Sequence, residues 1–173
     1  MTPQYAAKSL VAVFLDTGVL GAVTQRAGAK PESDACKQWE TDLTAQGVKV
    51  FVPEIAAYEL RREWILQNNP NALLRLDTFI SAATYRFVPM DTPAFDEAAR
   101  LWADVRKRGV PTASRDALDG DALIAAQVMV WCAINGVSLA SVAVATGNVS
   151  DMERFTDANG TGLQAATWRN ITL

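Results

Sequence analysis

The chain has 173 residues, half of them hydrophobic and 20% charged, and this composition is too apolar for a disordered protein. It contains no histidine, which excludes imidazole bases, Ser-His-Asp triads and ordinary histidine zinc sites. The net charge of −3 is the opposite of the basic balance typical of nucleic-acid-binding proteins, so a nucleic-acid partner requires a local basic patch.

Short apolar runs alternate along the chain with segments of helical periodicity. In chain order the patterns predict a strand at 10–15, helices at 18–25 and 33–46, a strand at 48–53, helices at 54–67 and 72–83, a strand at 86–90, a helix at 92–108, a polar loop at 110–118, a helix at 119–135 and a strand at 141–146. Ser33 or Asp34 is the expected N-cap of the second helix, and Thr92 that of the fifth. The alternation predicts one domain over residues 1–173, an α/β/α sandwich with a mainly parallel sheet and right-handed crossovers.

Neither the cysteines nor the apolar stretches indicate an exported or membrane protein. Cys36 and Cys132 are the two cysteines, without a Cys-x-x-Cys motif, so we expect neither a disulfide framework nor a thiolate metal site. The longest apolar stretch runs over residues 123–134, whereas a membrane helix needs about 20 residues. We therefore expect a cytoplasmic protein that does not associate with membranes.

Acidic residues lie near several of the predicted strand-to-helix transitions. Asp16 directly follows the first strand, where an equal alternative is that it only caps the next helix. Asp121 begins an otherwise apolar helical stripe, and Asp119 is expected to be the N-cap of that helix. Glu59 lies on the helix after the second strand, where the alternative is a solvated helix face. These acids are candidates for one shared site.

The turn after the last predicted strand adds Thr146, Asn148 and Asp151, for which an Asx turn and an N-cap are the alternative. In a parallel sheet all of these positions lie at the edge where ligands bind. Two carboxylates about 4 Å apart repel by about 4 kcal/mol at an effective dielectric constant near 20, so a cluster of them calls for a divalent cation. Oxygen ligands without histidine or cysteine select Mg²⁺ or Mn²⁺.

Four segments together carry a resemblance to a known family, and they read FLDTGVL at 14–20, VPEIAAYELR at 52–61, DGDALIAA at 119–126 and VATGNVSD at 144–151. In this order they resemble the PIN-domain ribonucleases, which include the VapC-type toxins of bacterial toxin–antitoxin pairs. The resemblance covers about residues 11 to 155. It implies that Asp16, Glu59 and Asp121 bind the metal and act in catalysis. Asn148 takes the fourth catalytic position, and Asp151 or Asp119 are alternatives for completing the metal site.

The resemblance implies metal-dependent hydrolysis of RNA phosphodiester bonds, in which the carboxylates hold Mg²⁺ or Mn²⁺ and do not attack the phosphate. Because an acidic cluster repels phosphate, RNA also needs nearby cations. The candidate substrate-binding residues are the cations Arg61, Arg62 and Arg115, with Arg106, Lys107 and Arg108 as further cations, and the hydroxyl-bearing Thr17 and Thr146. For a toxin of this kind we expect a small antitoxin protein as a partner, and we expect a homodimer.

Two alternatives remain open from the sequence. A non-catalytic module of the same fold that binds RNA or protein is compatible with Asn148 at an often acidic position. An aspartyl-phosphate-type phosphatase, with Asp16 as the nucleophile, requires a second acid two residues later, where Gly18 stands. The aromatic residues Trp64, Phe79 and Trp102 fit either a partner groove or core packing.

Overall fold

The computed structural model describes residues 3–110 and 119–173 of the chain. Its strands are β1 (Tyr5–Ala6), β2 (Ala12–Leu15), β3 (Lys49–Pro53), β4 (Phe87–Val88), β5 (Val142–Ala145), β6 (Ala165–Ala166) and β7 (Ile171–Thr172). Five of them form a parallel sheet in the order β4-β3-β2-β5-β6, and β1 pairs with β7 in a separate parallel ribbon. The predicted α/β class with a parallel central sheet is confirmed.

Helices flank this sheet. They are α1 (Thr17–Val23), α2 (Pro31–Ala45), α3 (Glu54–Leu66), α4 (Pro70–Ser81), α5 (Thr92–Lys107), α6 (Gly120–Asn135) and α7 (Val149–Met152), with short 3-10 turns at Ala7–Ser9, Leu139–Ser141 and Trp168–Asn170. None of the helices in the described part of the chain has the length and apolarity needed to cross a bilayer.

The two central strands owe their position to complete burial. Every residue of β2 and β5 is buried, as expected for strands covered by helices on both faces. Phe14 of β2 stacks on Phe51 of β3 with ring centroids 5.0 Å apart, and Trp131 of α6 contacts both rings. Such aromatic packing holds the strands rigidly, and with them the residues that follow each strand.

A buried ion pair joins α2 to the segment before β4. The Arg86 guanidinium lies 2.9 Å from the Glu40 carboxylate, and the two side chains are only 8% and 12% exposed. Arg86 also donates to the carbonyl of Phe79 at 3.0 Å and lies over that residue's ring at 4.1 Å. Burial raises the pKa of Glu40, and the Arg86 charge opposes that rise. We refer to these two residues as the Arg86–Glu40 pair.

The four predicted strands are found, but three short ones are additional to the prediction. β1, β6 and β7 have two residues each, too few to show a period, and they form through pairing with distant partners. Two predicted N-caps are wrong: Lys30 instead of Ser33 or Asp34 precedes α2, and Asp91 instead of Thr92 caps α5 by accepting from the Ala94 amide. The helices α2 and α4 each begin two residues before the predicted start. Trp64, Phe79 and Trp102 are partly buried against the core.

Candidate active site

Asp16 lies at the carboxyl end of the central strand β2, and both of its carboxylate oxygens are engaged. One accepts a hydrogen bond from the Thr17 amide at 2.6 Å, which caps α1. The other accepts from the Thr146 hydroxyl at 2.6 Å. The two readings of Asp16 from the sequence are therefore compatible, because one side chain both caps a helix and joins a cluster at the strand ends.

Thr146 follows β5, the strand next to β2, and is completely buried. Its hydroxyl donates to Asp16 and accepts from the amide of Asn148 at 2.9 Å. The hydroxyl therefore faces the carboxylate and the turn, not the solvent. Asn148 itself is exposed at the start of the short helix α7. Thr146 thus links the fourth sequence segment directly to the first.

Glu59 reaches the same edge of the sheet from α3. Its Oε2 accepts a hydrogen bond from the Thr17 hydroxyl at 2.5 Å. Its other oxygen lies against the backbone of α6, where an added Cβ at Gly120 would be 2.6 Å from Oε1. A side chain at position 120 would therefore displace the Glu59 carboxylate, so glycine permits this close approach, although its backbone φ is not positive. This contact brings α3 to the first turn of α6.

Asp121 lies in that first turn, two residues after Asp119, which is the N-cap of α6 as predicted and accepts from the Ala122 amide at 3.1 Å. Burial is the main factor that raises the pKa of Asp121 to about 6. The negative charges of Asp16, Asp119 and Glu59 raise it further, in that order. Asp16, Asp119 and Glu59 therefore all act electrostatically on Asp121, and we call these four carboxylates the acidic cluster.

Arg154 is the cation beside this cluster that the sequence analysis missed. Its positive charge lowers the pKa of Asp121, opposing the rise. It also forms an ion pair with Asp151, three residues earlier, whose side chain is 34% exposed. The sequence signal for this ion pair is the three-residue spacing between Asp151 and Arg154, but many surface pairs have the same spacing. Asp151 therefore has a cation for a neighbour.

The predicted substrate-binding cations lie in different surroundings. Arg61 and Arg62 follow Glu59 on α3; Arg61 pairs with Asp77 of α4 at 2.5 Å, and Arg62 lies over the ring of Tyr58 at 5.8 Å. Both groups are accessible from solvent. Arg115 lies outside the described residues.

Further along, Arg106 lies over the Trp102 ring at 4.7 Å, Lys107 is 3.9 Å from Asp104, and Arg108 donates to the carbonyl of Arg154 at 2.6 Å. Arg108 thus links the end of α5 to the residue beside the acidic cluster.

The acidic cluster suits a hard divalent cation in its chemistry, although its carboxylates do not form a ready-made cage. Within residues 3–110 and 119–173, no three Asp, Glu or Cys side chains surround a common point as metal ligands do. Mg²⁺ usually keeps several waters and binds through one or two carboxylates, so a full cage is not required. The donors are all oxygens, and the four carboxylates outnumber the single positive charge of the neighbouring Arg154.

Both cysteines are free and buried, and neither is suited to bind a metal ion. Burial raises the pKa of the Cys36 thiol and of the Cys132 thiol to about 12 in each case. Thiols with so high a pKa hold their protons at neutral pH and are poor metal ligands.

No protein-family model matches the chain, and no curated protein matches it either. Solved structures do match. VapBC2 from Rickettsia felis bound to a promoter DNA fragment aligns with a TM-score of 0.63 and 14% identity, covering 91% of this chain and 98% of that chain. VapBC from Salmonella typhimurium, bound to DNA, gives 0.60 and 17%, covering 92% and 99%, and FitAcB from Neisseria gonorrhoeae gives 0.59 and 17%, covering 91% and 98%. The resemblance to VapC-type PIN domains is confirmed at the level of the fold.

Proposed function

We propose that this chain is a Mg²⁺- or Mn²⁺-dependent ribonuclease that hydrolyses RNA phosphodiester bonds, and that it is the toxin of a toxin–antitoxin pair. One observation carries the proposal: Asp16 and Glu59, from two distant sequence segments, both lie close enough to Asp121 of a third segment to raise its pKa. The fold shared with the VapBC structures supports the toxin role.

In this proposal Asp16, Glu59 and Asp121 hold the divalent ion. When bound, such an ion supplies a water of lowered pKa and neutralises charge on the phosphate. Thr17 and Thr146 fix the orientation of two of the carboxylates, because each hydroxyl donates to one of them. We therefore propose that both threonines are positioning residues, and that substrate contact belongs to other groups.

Substrate contact requires groups outside the acidic cluster, because the cluster repels phosphate. Arg61 and Arg62 lie on the same helix as Glu59 and reach solvent, so they are the proposed phosphate contacts. Asn148 offers an exposed amide at the strand edge that can hydrogen-bond a phosphate oxygen. Asp151 is the proposed alternative metal ligand, available if a bound ion displaces Arg154 from it.

The test is cleavage of single-stranded RNA by the purified chain with Mn²⁺ or Mg²⁺ and with a chelator. We expect cleavage with the metals only, and a loss of about 100-fold or more in Asp16→Asn and in Asp121→Asn, because each loses a ligand charge. Asp96→Asn, exposed on α5, is the matched control and should keep full activity. Metal-dependent cleavage that survives in both site variants would reject the assignment.

We also propose two protein partners, a second copy of the chain and a small antitoxin. The α3–α4 hairpin supports the first, because it exposes Leu66 at 77%, Leu74 at 65% and Ile65 at 62%. Sedimentation should find a dimer that Leu66→Glu dissociates, while Phe95→Glu, which alters an exposed apolar residue of α5, leaves it intact. The VapBC structures support the second partner, which co-purification with the product of an adjacent short gene tests. With RNA as substrate, the proposed location is the cytoplasm.

A non-catalytic RNA-binding module of the same fold is the second candidate function. Two observations favour it: Asn148 stands at a position that the family resemblance makes often acidic, and the described carboxylates are not arranged as a ready metal cage. The cleavage test separates the candidates. Binding of RNA without cleavage in either metal would support the module and reject the nuclease.

A further inference from the structure

A half-open cleft of about 440 Å³ lies beside the acidic cluster. Its walls come from Gly18 in the first turn of α1, Gly147 after β5, and the segment after β6 that contains Trp168 and Arg169. The start of α2 closes it with Lys30 and Glu32. We call it the Trp168 cleft. Its volume is within the usual range for sites that bind small organic groups.

The cleft and the acidic cluster share a wall. Thr146, whose hydroxyl holds Asp16, is also a lining residue of the cleft. β2, β5 and β6 are adjacent parallel strands, so Asp16, Thr146 and Trp168 follow the same edge of the sheet in sequence across it. With strands about 4.8 Å apart, β6 lies about 10 Å from β2. A group in the cleft is therefore separated from Asp16 by Thr146, at about two strand spacings along the same edge.

Trp168 packs against a second tryptophan and also contacts a weakly held cation. It is half-buried against Trp39, with ring centroids 6.0 Å apart, and the Trp39 indole donates to the carbonyl of Ile171 at 3.0 Å. The Arg169 guanidinium, a flat cation, lies 4.6 Å from the Trp168 ring centroid. Its ion pair with Glu32 has both side chains about 60% exposed, and such pairs contribute little to stability.

We infer that the Trp168 cleft binds one nucleotide of single-stranded RNA, with its base stacked on Trp168 in the place that Arg169 now occupies. The displaced guanidinium and the exposed Lys30 are then available to the RNA backbone. Aromatic rings beside cations are how proteins bind unpaired bases without sequence preference. The inference rests on the proposed function, since it places this nucleotide next to the bond that is cut.

The first experiment measures affinity for a short fluorescent single-stranded RNA in chelator, so that no cleavage occurs. We expect Trp168→Ala to weaken binding by about 5- to 150-fold and Trp168→Phe by no more than about threefold, because phenylalanine still stacks. Lys30→Glu, a surface change, should also weaken binding. Phe95→Ala is the control and should bind normally, because it removes an exposed aromatic ring of α5 that lies outside the cleft. Melting curves verify that each variant is folded.

The second experiment measures RNA cleavage by the same variants with Mn²⁺. Normal binding and cleavage in folded Trp168→Ala and in Lys30→Glu would overturn the inference and leave the proposed nuclease standing. Binding that depends on Trp168, in a chain that cuts no RNA, would keep the inference as nucleotide binding and reject the nuclease. Unchanged RNA affinity in Trp168→Ala, together with lost binding of a protein partner, would assign the cleft to that partner and overturn the inference. A chain that neither binds nor cuts RNA rejects both.

Discussion

The Arg86–Glu40 pair and the acidic cluster both withdraw charge from water, but they balance it differently. In the pair, a guanidinium and a carboxylate lie 2.9 Å apart and neutralise each other. In the cluster, Asp16 and Glu59 accept hydrogen bonds from the uncharged hydroxyls of Thr146 and Thr17. Hydroxyls orient a carboxylate without cancelling its charge.

This difference separates charge that serves the fold from charge that serves a ligand. The opposite charges of the Arg86–Glu40 pair balance each other within the chain, so this pair requires no ligand. The acidic cluster keeps a negative excess, and this excess adds to the effect of burial in raising the pKa of Asp121. A site that is unfavourable in the isolated protein and favourable with a bound cation is what the proposed function requires.

The largest expected effect comes from breaking the balanced pair. Glu40→Leu or Arg86→Met leaves one buried charge without its partner and should lower the free energy of unfolding by about 3 to 5 kcal/mol. For a chain of this size the melting temperature should fall by about 6 to 20 °C. The double variant should recover most of the loss, because no buried charge remains. Denaturant unfolding of the three variants measures this, and additive losses in the double variant would contradict it.

A smaller effect of opposite sign is expected in the acidic cluster. In chelator, Asp121→Asn should raise the free energy of unfolding by up to about 3 kcal/mol. The reason is that folding raises the pKa of the Asp121 carboxyl to about 6, so its ionised form destabilises the folded state. Loss of the helix N-terminal charge subtracts about 0.3 to 1 kcal/mol. Saturating Mn²⁺ should stabilise the unmutated protein more than the variant. Melting curves decide, and a destabilisation that is the same with and without Mn²⁺ would reject the cluster.

The raised pKa of Asp121, caused first by burial and then by the neighbouring carboxylates, also predicts a pH dependence. The Asp121 carboxyl ionises near pH 4 when unfolded and near pH 6 when folded, so between these values the folded state binds more protons. Stability of the unmutated protein should therefore fall, relative to Asp121→Asn, as pH rises from about 4 to about 6, and remain constant above. Unfolding of both proteins across this range in chelator gives the difference. A difference that shrinks as pH rises would contradict the assignment.

The smallest expected effect is on exposed charge. Arg61 and Asp77 are 39% and 53% exposed, so Asp77→Asn should change the free energy of unfolding by less than about 1 kcal/mol. Charge reversal of Arg61 with Arg62 should instead weaken RNA binding and flatten its salt dependence, by about 0.7 in slope for each lost phosphate contact. Titrations at several salt concentrations measure this. An unchanged slope would show that both arginines are ordinary solvent-exposed residues that do not contact the RNA phosphates.

Asp16 and Asp119 were predictable because local signals define their positions. A buried apolar run ends at Leu15, so the residue after it had to lie at a strand end. Asp119 precedes a long apolar helix, where an N-cap is expected. In both cases neighbouring residues determine where the side chain lies, so the sequence alone carries the information.

The contacts that build the site were not predictable, because they join residues far apart in the chain. Thr17 and Glu59 are separated by 42 residues, and Asp16 and Thr146 by 130. The Trp168 cleft depends on β6, whose two alanines give no periodic signal and which forms by pairing with β5. These contacts depend on how distant strands and helices pair in the fold, and local sequence patterns carry no information about that pairing.

The contact between Gly120 and Glu59 has a genetic consequence. Any missense mutation at codon 120 adds a Cβ, and that atom would lie 2.6 Å from Glu59 Oε1. The glutamate is the flexible partner, so its carboxylate moves away from Thr17 while the helices stay packed. A single codon can therefore disable the site without removing any ionisable group or unfolding the chain. Under selection against the proposed nuclease activity, escape mutants that still make the full protein should accumulate at this codon.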